Sequence, residues 1–260
     1  MVQYIYPETA LVAGNIFAYL MTPMHNPNLV LKEVQIMSHR VHNYVFTAQH
    51  KIMFEPGQYM SWTLPGVSFD GRGNRRTFTI ASSPTENEVM MGVKLYEPSS
   101  TYKQKLQALK PGDQISSGQI GGSFTMPKDA SQKLLFIAGG VGITPFRSML
   151  KYSIDQKQNR DIVLLYIVSD PHEVSYGDIL QLAVDNGIKV LPILTSQNVT
   201  SWKGIYGPLS TEILNKHVKD LEKRIVYIAG SNQMVKNTKK LLHHSGVRKS
   251  QIKTDYFSGY

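Results

Sequence analysis

The sequence predicts two domains in series: an antiparallel β-barrel, then an α/β domain built on a parallel sheet. Three observations predict this. Up to about Met126 the apolar residues alternate in short runs broken by Pro and Gly. From about Lys133 wholly apolar runs alternate with stretches of helical period. The polar stretch Pro127–Gln132 separates the two patterns. With 260 residues, the chain is long enough for two ordinary domains. The expected division is an apolar arm over 1–28, a barrel domain over 29–130 and an α/β domain over 131–260.

In the first half, Val34–Ile36, Tyr44–Thr47, Tyr59–Trp62, Thr77–Ile80 and Val89–Leu95 read as strands. Pro56-Gly57, Pro65-Gly66, Gly71–Asn74 and Pro111-Gly112-Asp113 read as the turns between them. One helix interrupts, over Tyr102–Leu109, with Leu106 and Leu109 on one face. Strands at this spacing suggest a closed barrel or a sandwich. In the second half the expected strands are Leu134–Ala138, Ile162–Val168, Ile188–Leu194, Ile225–Ala229 and Ile252–Phe257. Helices are expected over Thr144–Lys157, Tyr176–Asp185, Ser210–Val218 and Asn232–His244. Apolar strands alternating with amphipathic helices form a parallel sheet covered on both faces.

Composition bounds the chemistry. Hydrophobic residues make up 42% and charged residues 18%, enough to bury a core and too apolar for a disordered chain. There is no cysteine. That excludes disulfides, cysteine-ligated Fe–S clusters, thiolate zinc sites and cysteine nucleophiles within these residues, and it fits a reducing, cytoplasmic setting. The net charge is 28 − 19 = +9. A basic surface favours acidic partners. Arg72, Arg75 and Arg76 cluster in an expected turn, and Lys236, Lys239 and Lys240 share a helix face; the excess otherwise reads as spread along the chain and solvated. No basic block is interleaved with aromatics, so nucleic-acid binding is not expected. His39 and His42 fall on opposite faces of a strand, and His243 and His244 diverge on a helix, so no metal site is expected. Between Glu8 and Lys32 there is no charged residue; this arm is a packed helix, an interfacial anchor or the remnant of a membrane segment, and it places the protein at a membrane face on the latter two readings.

Two motifs carry chemistry. Gly139-Gly140-Val141-Gly142-Ile143-Thr144-Pro145 follows an apolar strand directly. Glycines there allow a tight turn and close approach of a ligand, Thr144 suits a helix cap and Pro145 a first turn. Such a helix N-terminus offers free N–H groups to a pyrophosphate. In Arg76-Thr77-Phe78-Thr79-Ile80-Ala81-Ser82, strand alternation puts Arg76, Phe78, Ile80 and Ser82 on one face and Thr79 on the other. An arginine grips phosphate with two donors, and an aromatic two residues on lies against a flat ring.

These residues resemble the ferredoxin–NADP reductase superfamily. Arg76-x-Phe78-Thr79-x-x-Ser82 resembles its flavin motif RxY(S/T)xxS, and Gly139–Pro145 its GGxGxTP loop. Pro56-Gly57-Gln58-Tyr59 is similar to its PGQY turn, Thr101-Tyr102 with Pro111-Gly112-Asp113 to the helix closing on the flavin pyrophosphate, and Ala229–Val235 to its CGxxxMV segment. The resemblance spans roughly residues 30 to 260 and implies bound FAD and a nicotinamide dinucleotide, NADH or NADPH, with no Fe–S domain. It implies that Arg76, Lys94 and Thr101 bind FAD phosphates, with Ser82 in the same motif, that Phe78 stacks on the isoalloxazine and that Thr79 sits near N5. Gly139, Gly140, Gly142, Thr144, Gly230 and Met234 would hold the dinucleotide, and Thr195 and Ser196 would lie near its ribose. A terminal aromatic, Phe257 or Tyr260, would cover the flavin. Over some 20 residues the arm also loosely resembles a transmembrane helix end in Rnf- and Nqr-type complexes.

The chain departs from the pattern at three places. Ala229 stands where many members carry a cysteine, and Phe78 replaces the usual tyrosine. Gln197 follows Ser196 where NADP-using members often carry arginine, with Lys203 and Tyr206 as partial substitutes, which favours NADH. The expected activity is hydride transfer from the nicotinamide to FAD, then release of electrons to a separate acidic electron carrier (a ferredoxin or flavodoxin) or a membrane redox subunit. The alternative is a non-catalytic docking or regulatory subunit of a membrane electron-transport complex.

Overall fold

The computed structural model describes residues 28–66, 70–196, 202 and 204–257. The arm expected over 1–28, apart from Asn28, and the expectations placed on Gln197, Lys203 and Tyr260 lie outside the described residues. The first half is a six-stranded antiparallel sheet of β1 (Asn28–Ile36), β2 (Val41–Ala48), β3 (Tyr59–Thr63), β4 (Arg75–Thr79), β5 (Val89–Lys94) and β6 (Gln114–Gly121), ordered β4-β3-β6-β1-β2-β5. An antiparallel bridge between Ile80 and Met91 joins the two edges. Closure removes free strand edges, and the alternating inward residues fill the interior. Leu29, Leu31, Phe46, Met60, Trp62 and Met91 are all buried there. Helix α1 (Thr101–Gln107) plugs one end with Tyr102 and Leu106, and the Ser100 hydroxyl caps it by accepting from Lys103 N at 3.4 Å.

Strand β6 had no counterpart in the sequence reading. Its run QISSGQIG offers Ser and Gly where an apolar strand has Val or Ile. Ile115 and Ser117 nevertheless point inward, and β6 bridges β3 and β1 at the centre of the sheet. Neighbouring strands on both sides satisfy its backbone, so pairing overrides weak propensity.

The second half is a parallel sheet of β7 (Leu134–Gly139), β8 (Ile162–Val168), β9 (Lys189–Leu194), β10 (Ile205–Tyr206), β11 (Ile225–Ser231) and β12 (Ile252–Phe257), ordered β10-β9-β8-β7-β11-β12. Alternation along β7 and β8 divides their side chains between two cores. Leu134, Phe136, Ala138 and Leu164 pack with α2 (Thr144–Asp155) and α3 (Gly177–Asp185). Leu135, Ile137, Val163 and Leu165 pack with α4 (Thr211–His217) and α5 (Asn232–His244). This is why both strands read as continuous apolar runs. Tyr176, expected to open α3, instead adopts φ 59° and precedes it.

The core under α2 also takes in Val45, Ala81, Met90 and Phe124 from the barrel, so the halves share apolar packing. Polar bonds reinforce the seam. Arg147 pairs with Glu86 and donates to the Ala81 carbonyl at 3.2 Å. Ser148 donates to the Ser82 carbonyl at 2.6 Å, and Tyr176 to Asn43 Oδ1 at 3.2 Å. Among the described residues no helix is long and apolar enough to cross a membrane.

Candidate cofactor cleft between the two sheets

The seam leaves a cleft of about 610 Å³ between the barrel and the carboxyl ends of the parallel strands. It lies beside β7, where the strand order reverses: the chain runs from β7 outward through β8, β9 and β10 and returns to β11 on the other side of β7, the place where open α/β sheets bind ligands. The barrel wall is made of side chains. Thr77, Phe78 and Thr79, at the end of β4, all line the cleft. Phe78 is half-buried, 6.0 Å from the Tyr102 ring, and its carbonyl accepts from Trp62 Nε1 at 3.3 Å. Lys94 and Lys103 line the same wall.

Lys103 is 4% exposed. Its ammonium lies 4.3 Å from the Tyr96 ring centroid, and no carboxylate pairs with it among the described residues. Burial, with a smaller push from Arg72, lowers its pKa to about 8. A buried ammonium without a counter-ion favours an anionic ligand. Lys94 has a partner: its Nζ is 3.0 Å from Glu173 Oε1 across the cleft. Burial works to raise the Glu173 pKa, but bonds from Ser169 and Lys94 outweigh it and hold the carboxyl below its ordinary value.

The opposite wall is largely backbone. Gly139, Gly140 and Val141 form one stretch of it, and Gly230 with Met234 another. Gly140 has φ +52°, and a Cβ there would meet only Lys94 Nζ, at 3.9 Å, so its backbone opens onto the cleft. The floor joins the two halves. Thr79 Oγ1 donates to Asp255 Oδ2 at 3.4 Å, and burial raises the Asp255 pKa above its ordinary value against that bond. Phe257 and Tyr256 complete the rim.

The structure thus brings Phe78, Thr79, Lys94, Gly139, Gly140, Gly230, Met234, Thr195 and Phe257 together. Other expected residues lie off the lining. The Arg76 guanidinium turns into the 70–75 turn, donating to the carbonyls of Arg72, Gly73 and Arg75 at 2.9, 2.9 and 2.7 Å, with Asp70 at 3.4 Å. Ser82 is wholly buried in the domain seam and accepts from Met90 N. Gly142 packs against β11: an added Cβ would lie 2.2 Å from the Ala229 carbonyl oxygen. Thr144 is buried and donates to the Val141 carbonyl. Thr101 opens α1 with its side chain half-buried, and Ser196 follows β9; neither reaches the lining.

Comparison with known proteins agrees with this architecture. Residues 28–124 match the family model of the oxidoreductase FAD-binding domain, and residues 136–240 that of the oxidoreductase NAD-binding domain. The chain carries an oxidoreductase FAD-binding domain followed by an oxidoreductase NAD-binding domain. Solved structures share its fold at low identity. A Neisseria gonorrhoeae ferredoxin NADP+ reductase with bound FAD and NADP superposes with a TM-score of 0.75 at 19% identity, covering 92% of this chain and all of that one. The flavohem-like FAD/NAD-binding domain of a Vibrio cholerae nitric oxide dioxygenase gives 0.77 at 20% identity, over 90% of this chain and 99% of that one. Among curated relatives, the Pseudomonas aeruginosa glycine betaine monooxygenase reductase subunit is 27% identical over 84% of this chain and 60% of its own length. A Candida albicans flavohemoprotein is 25% identical over 79% of this chain and 52% of its own length. The chain therefore spans little more than half the length of these relatives.

The residues present fit the two cofactors named by these domain models. Lys103 supplies an uncompensated cation for a phosphate, Phe78 an aromatic face, and Gly140 an open backbone. Lys103, Glu173 and Asp255 were not singled out from sequence for the cleft. The first has a local signal, a basic residue one turn after a Ser cap; the other two become site residues only when distant strand ends meet.

Proposed function

We propose that the chain is an FAD-dependent NADH oxidoreductase in which residues 29–130 hold the flavin and residues 131–260 the nicotinamide nucleotide. The observation that carries this is the single cleft with Phe78 and Thr79 on one wall and Gly139, Gly140 and Gly230 on the other. FAD bound there supplies a hydride acceptor at N5 and can pass two electrons onward singly.

The chain's own task is alignment and electrostatics. Phe78 offers the isoalloxazine a face, and Thr79 with Asp255 holds a proton between hydroxyl and carboxylate at the floor. Lys103 and Lys94 take the FAD phosphates, Lys94 by giving up Glu173; Arg72 and Arg76 reinforce that end, and Thr101 stands beside it. Gly139, Gly140, Gly230 and Met234 take the nicotinamide half, with Thr195 and Ser196 towards its ribose. Phe257 covers the flavin edge. Gly142, Thr144 and Ser82 act through packing. NADH is preferred, because the β8–β9 end of the cleft presents Ser169 and Thr195 and no cation among the described residues. Relatives named as monooxygenase reductase subunits or components support an acceptor held on a separate protein. We take that acceptor to be an acidic electron carrier rather than a membrane redox subunit.

The test is an absorbance spectrum of the purified protein, followed by anaerobic titration with NADH and NADPH separately. Flavin bands bleached by NADH at lower concentration than by NADPH are expected. A colourless protein that takes up no FAD ends the reading.

A further inference from the structure

The residue that precedes α3 is held in a conformation it does not favour. Tyr176 has φ 59° and ψ 40°, the left-handed region that strains a bulky side chain. It is almost wholly buried, although it stands at the start of a helix. Its ring points out of its own domain, and its hydroxyl donates to Asn43 Oδ1 in the barrel at 3.2 Å. Burial raises the phenol pKa, so the hydroxyl keeps its proton and remains a donor.

The barrel provides a socket for it. Asn43 on β2 and Gly92 on β5 are directly opposite each other in the antiparallel pair. Asn43 is buried, and its amide is fixed by donating to Gln35 Oε1 at 3.0 Å. A Cβ at Gly92 would collide with the Tyr176 hydroxyl and would lie 2.6 Å from Thr144 Cγ2. The side chain that Gly92 lacks therefore leaves room for the tip of Tyr176 and the methyl of Thr144 together. Thr144 directly follows the glycine loop, whose Gly139, Gly140 and Val141 line one wall of the cleft. Gly92, Val93 and Lys94 of β5 line the other. Tyr176 is thus wedged where the two walls touch, without lining the cleft itself.

We propose that Tyr176 is a positioning residue: seated in the Gly92 socket, it fixes how far the glycine loop stands from β5, and so the separation of nicotinamide and flavin during hydride transfer. This rests on the flavin reading given above. In that step the C4–H bond of the nicotinamide breaks and the hydrogen passes to flavin N5 with its electron pair, so the nicotinamide is oxidised and the flavin reduced by two electrons. The reacting atoms must lie about 3–3.5 Å apart, and a displacement of about 1 Å costs about a hundredfold in rate. The seated ring works in both directions. Its contact with Gly92 blocks closer approach of the walls, and its bond to Asn43 opposes their separation. A residue that only filled the seam would need neither the hydroxyl nor the buried amide that meets it, since burying both costs desolvation. The strained backbone persists because the socket holds the side chain.

The test compares the FAD-loaded full chain with Tyr176→Phe, which keeps the ring and removes the bond, and Gly92→Ala, which fills the socket. Two quantities are read: the rate at which saturating NADH bleaches the flavin in stopped flow, and the long-wavelength absorbance that appears when NAD+ lies against reduced flavin. In Tyr176→Phe the bleaching should slow about tenfold and the absorbance should weaken, while the dissociation constants of FAD and NAD+ change by less than about threefold. Gly92→Ala should slow bleaching about a hundredfold. The double variant should be no slower than Gly92→Ala alone, because both changes act through one contact. If Gly92→Ala does not fold, Tyr176→Phe alone decides. A Tyr176→Phe protein with the parent's rate and absorbance overturns the proposal. So does slower bleaching matched by an equal loss of FAD or NAD+ affinity, or a double variant in which the two effects add. A parent protein that takes up no FAD defeats the flavin reading and this proposal with it, an outcome that the parent's own spectrum reveals before any variant is made.

Discussion

The two walls of the cleft solve the same problem with different materials. The barrel wall presents side chains: Phe78, Thr79, Lys94 and Lys103. The parallel-sheet wall presents backbone at strand ends, at Gly139, Gly140 and Gly230. Side chains can be exchanged singly, each removing one contact and leaving the wall in place. Backbone positions keep that reserve only where the space opposite is open, as at Gly140, and lose it where main chain lies opposite, as behind the wall at Gly142. The comparison teaches that substitutions in the barrel wall should grade binding, whereas those in the glycine loop should either leave the fold alone or break it.

The largest effect should separate two glycines that stand two residues apart. An alanine Cβ at Gly142 would lie 2.2 Å from the Ala229 carbonyl oxygen and 2.9 Å from Gly230 Cα, so the loop and β11 must part. Gly142→Ala should cost about 3 kcal/mol and lower the Tm by about 10 °C. At Gly140 the space is open and only the φ of +52° resists. Gly140→Ala should cost about 1 kcal/mol, with its main effect on NADH titration. Thermal melts of both variants check this. Equal melts would mean that the loop yields as a whole.

That contrast also shows which parts of the molecule were legible in sequence. Strands β7 and β8 were readable nearly to the residue, since burial on both faces leaves an unbroken apolar run, and so was helix α5, through the period of its buried Val235, Thr238 and Leu242. Strand β6 was not, because its Ser and Gly residues are held by the strands on either side. Within the motifs, the position of Gly140 followed from the loop pattern, but the packing duty of Gly142 depends on Ala229, which lies 87 positions further along the chain (229 − 142). Arg76 reads as a phosphate ligand, and its guanidinium also donates to three carbonyls of the turn that precedes it, bonds the motif itself does not encode. Asp255 and Thr79 meet across 176 residues, a separation no local pattern encodes.

In the barrel wall, Lys103→Met should give two effects of opposite sign. The ammonium is buried without a carboxylate, so its removal stabilises the FAD-free protein by about 1–2 kcal/mol. The same change removes a charge-assisted contact to phosphate and weakens FAD binding about tenfold. The pH dependence follows from the lowered pKa. At and below pH 8 the folded protein carries the full penalty of the buried charge. Between about 8 and the ordinary 10.5 the folded state releases its proton before the unfolded state does, so stability rises with pH. The methionine variant lacks that rise. FAD-free melts from pH 7 to 10, with FAD titrations of both proteins, measure each effect. A methionine variant that binds FAD as the parent does would move the phosphate contact to Arg72, Arg76 or Lys94.

The smallest effect expected is at the floor, where the walls meet. Burial raises the Asp255 pKa, so in the folded state the ionised carboxylate is disfavoured relative to its unfolded form. Its contribution to stability is complete below its ordinary value of 3.8 and is lost as pH rises through the folded value. Asp255→Asn cannot ionise, yet its side-chain oxygen still accepts from Thr79 Oγ1. The variant should therefore match the parent near pH 4 and melt about 2 °C higher at pH 7. Flavin absorption should keep its shape, since the Thr79 bond survives. A gap of equal size at both pH values would place the Asp255 charge in solvent and take the carboxyl out of the floor. Altered flavin bands with an unchanged melt would make the carboxylate, rather than the hydroxyl it holds, the group that the flavin senses.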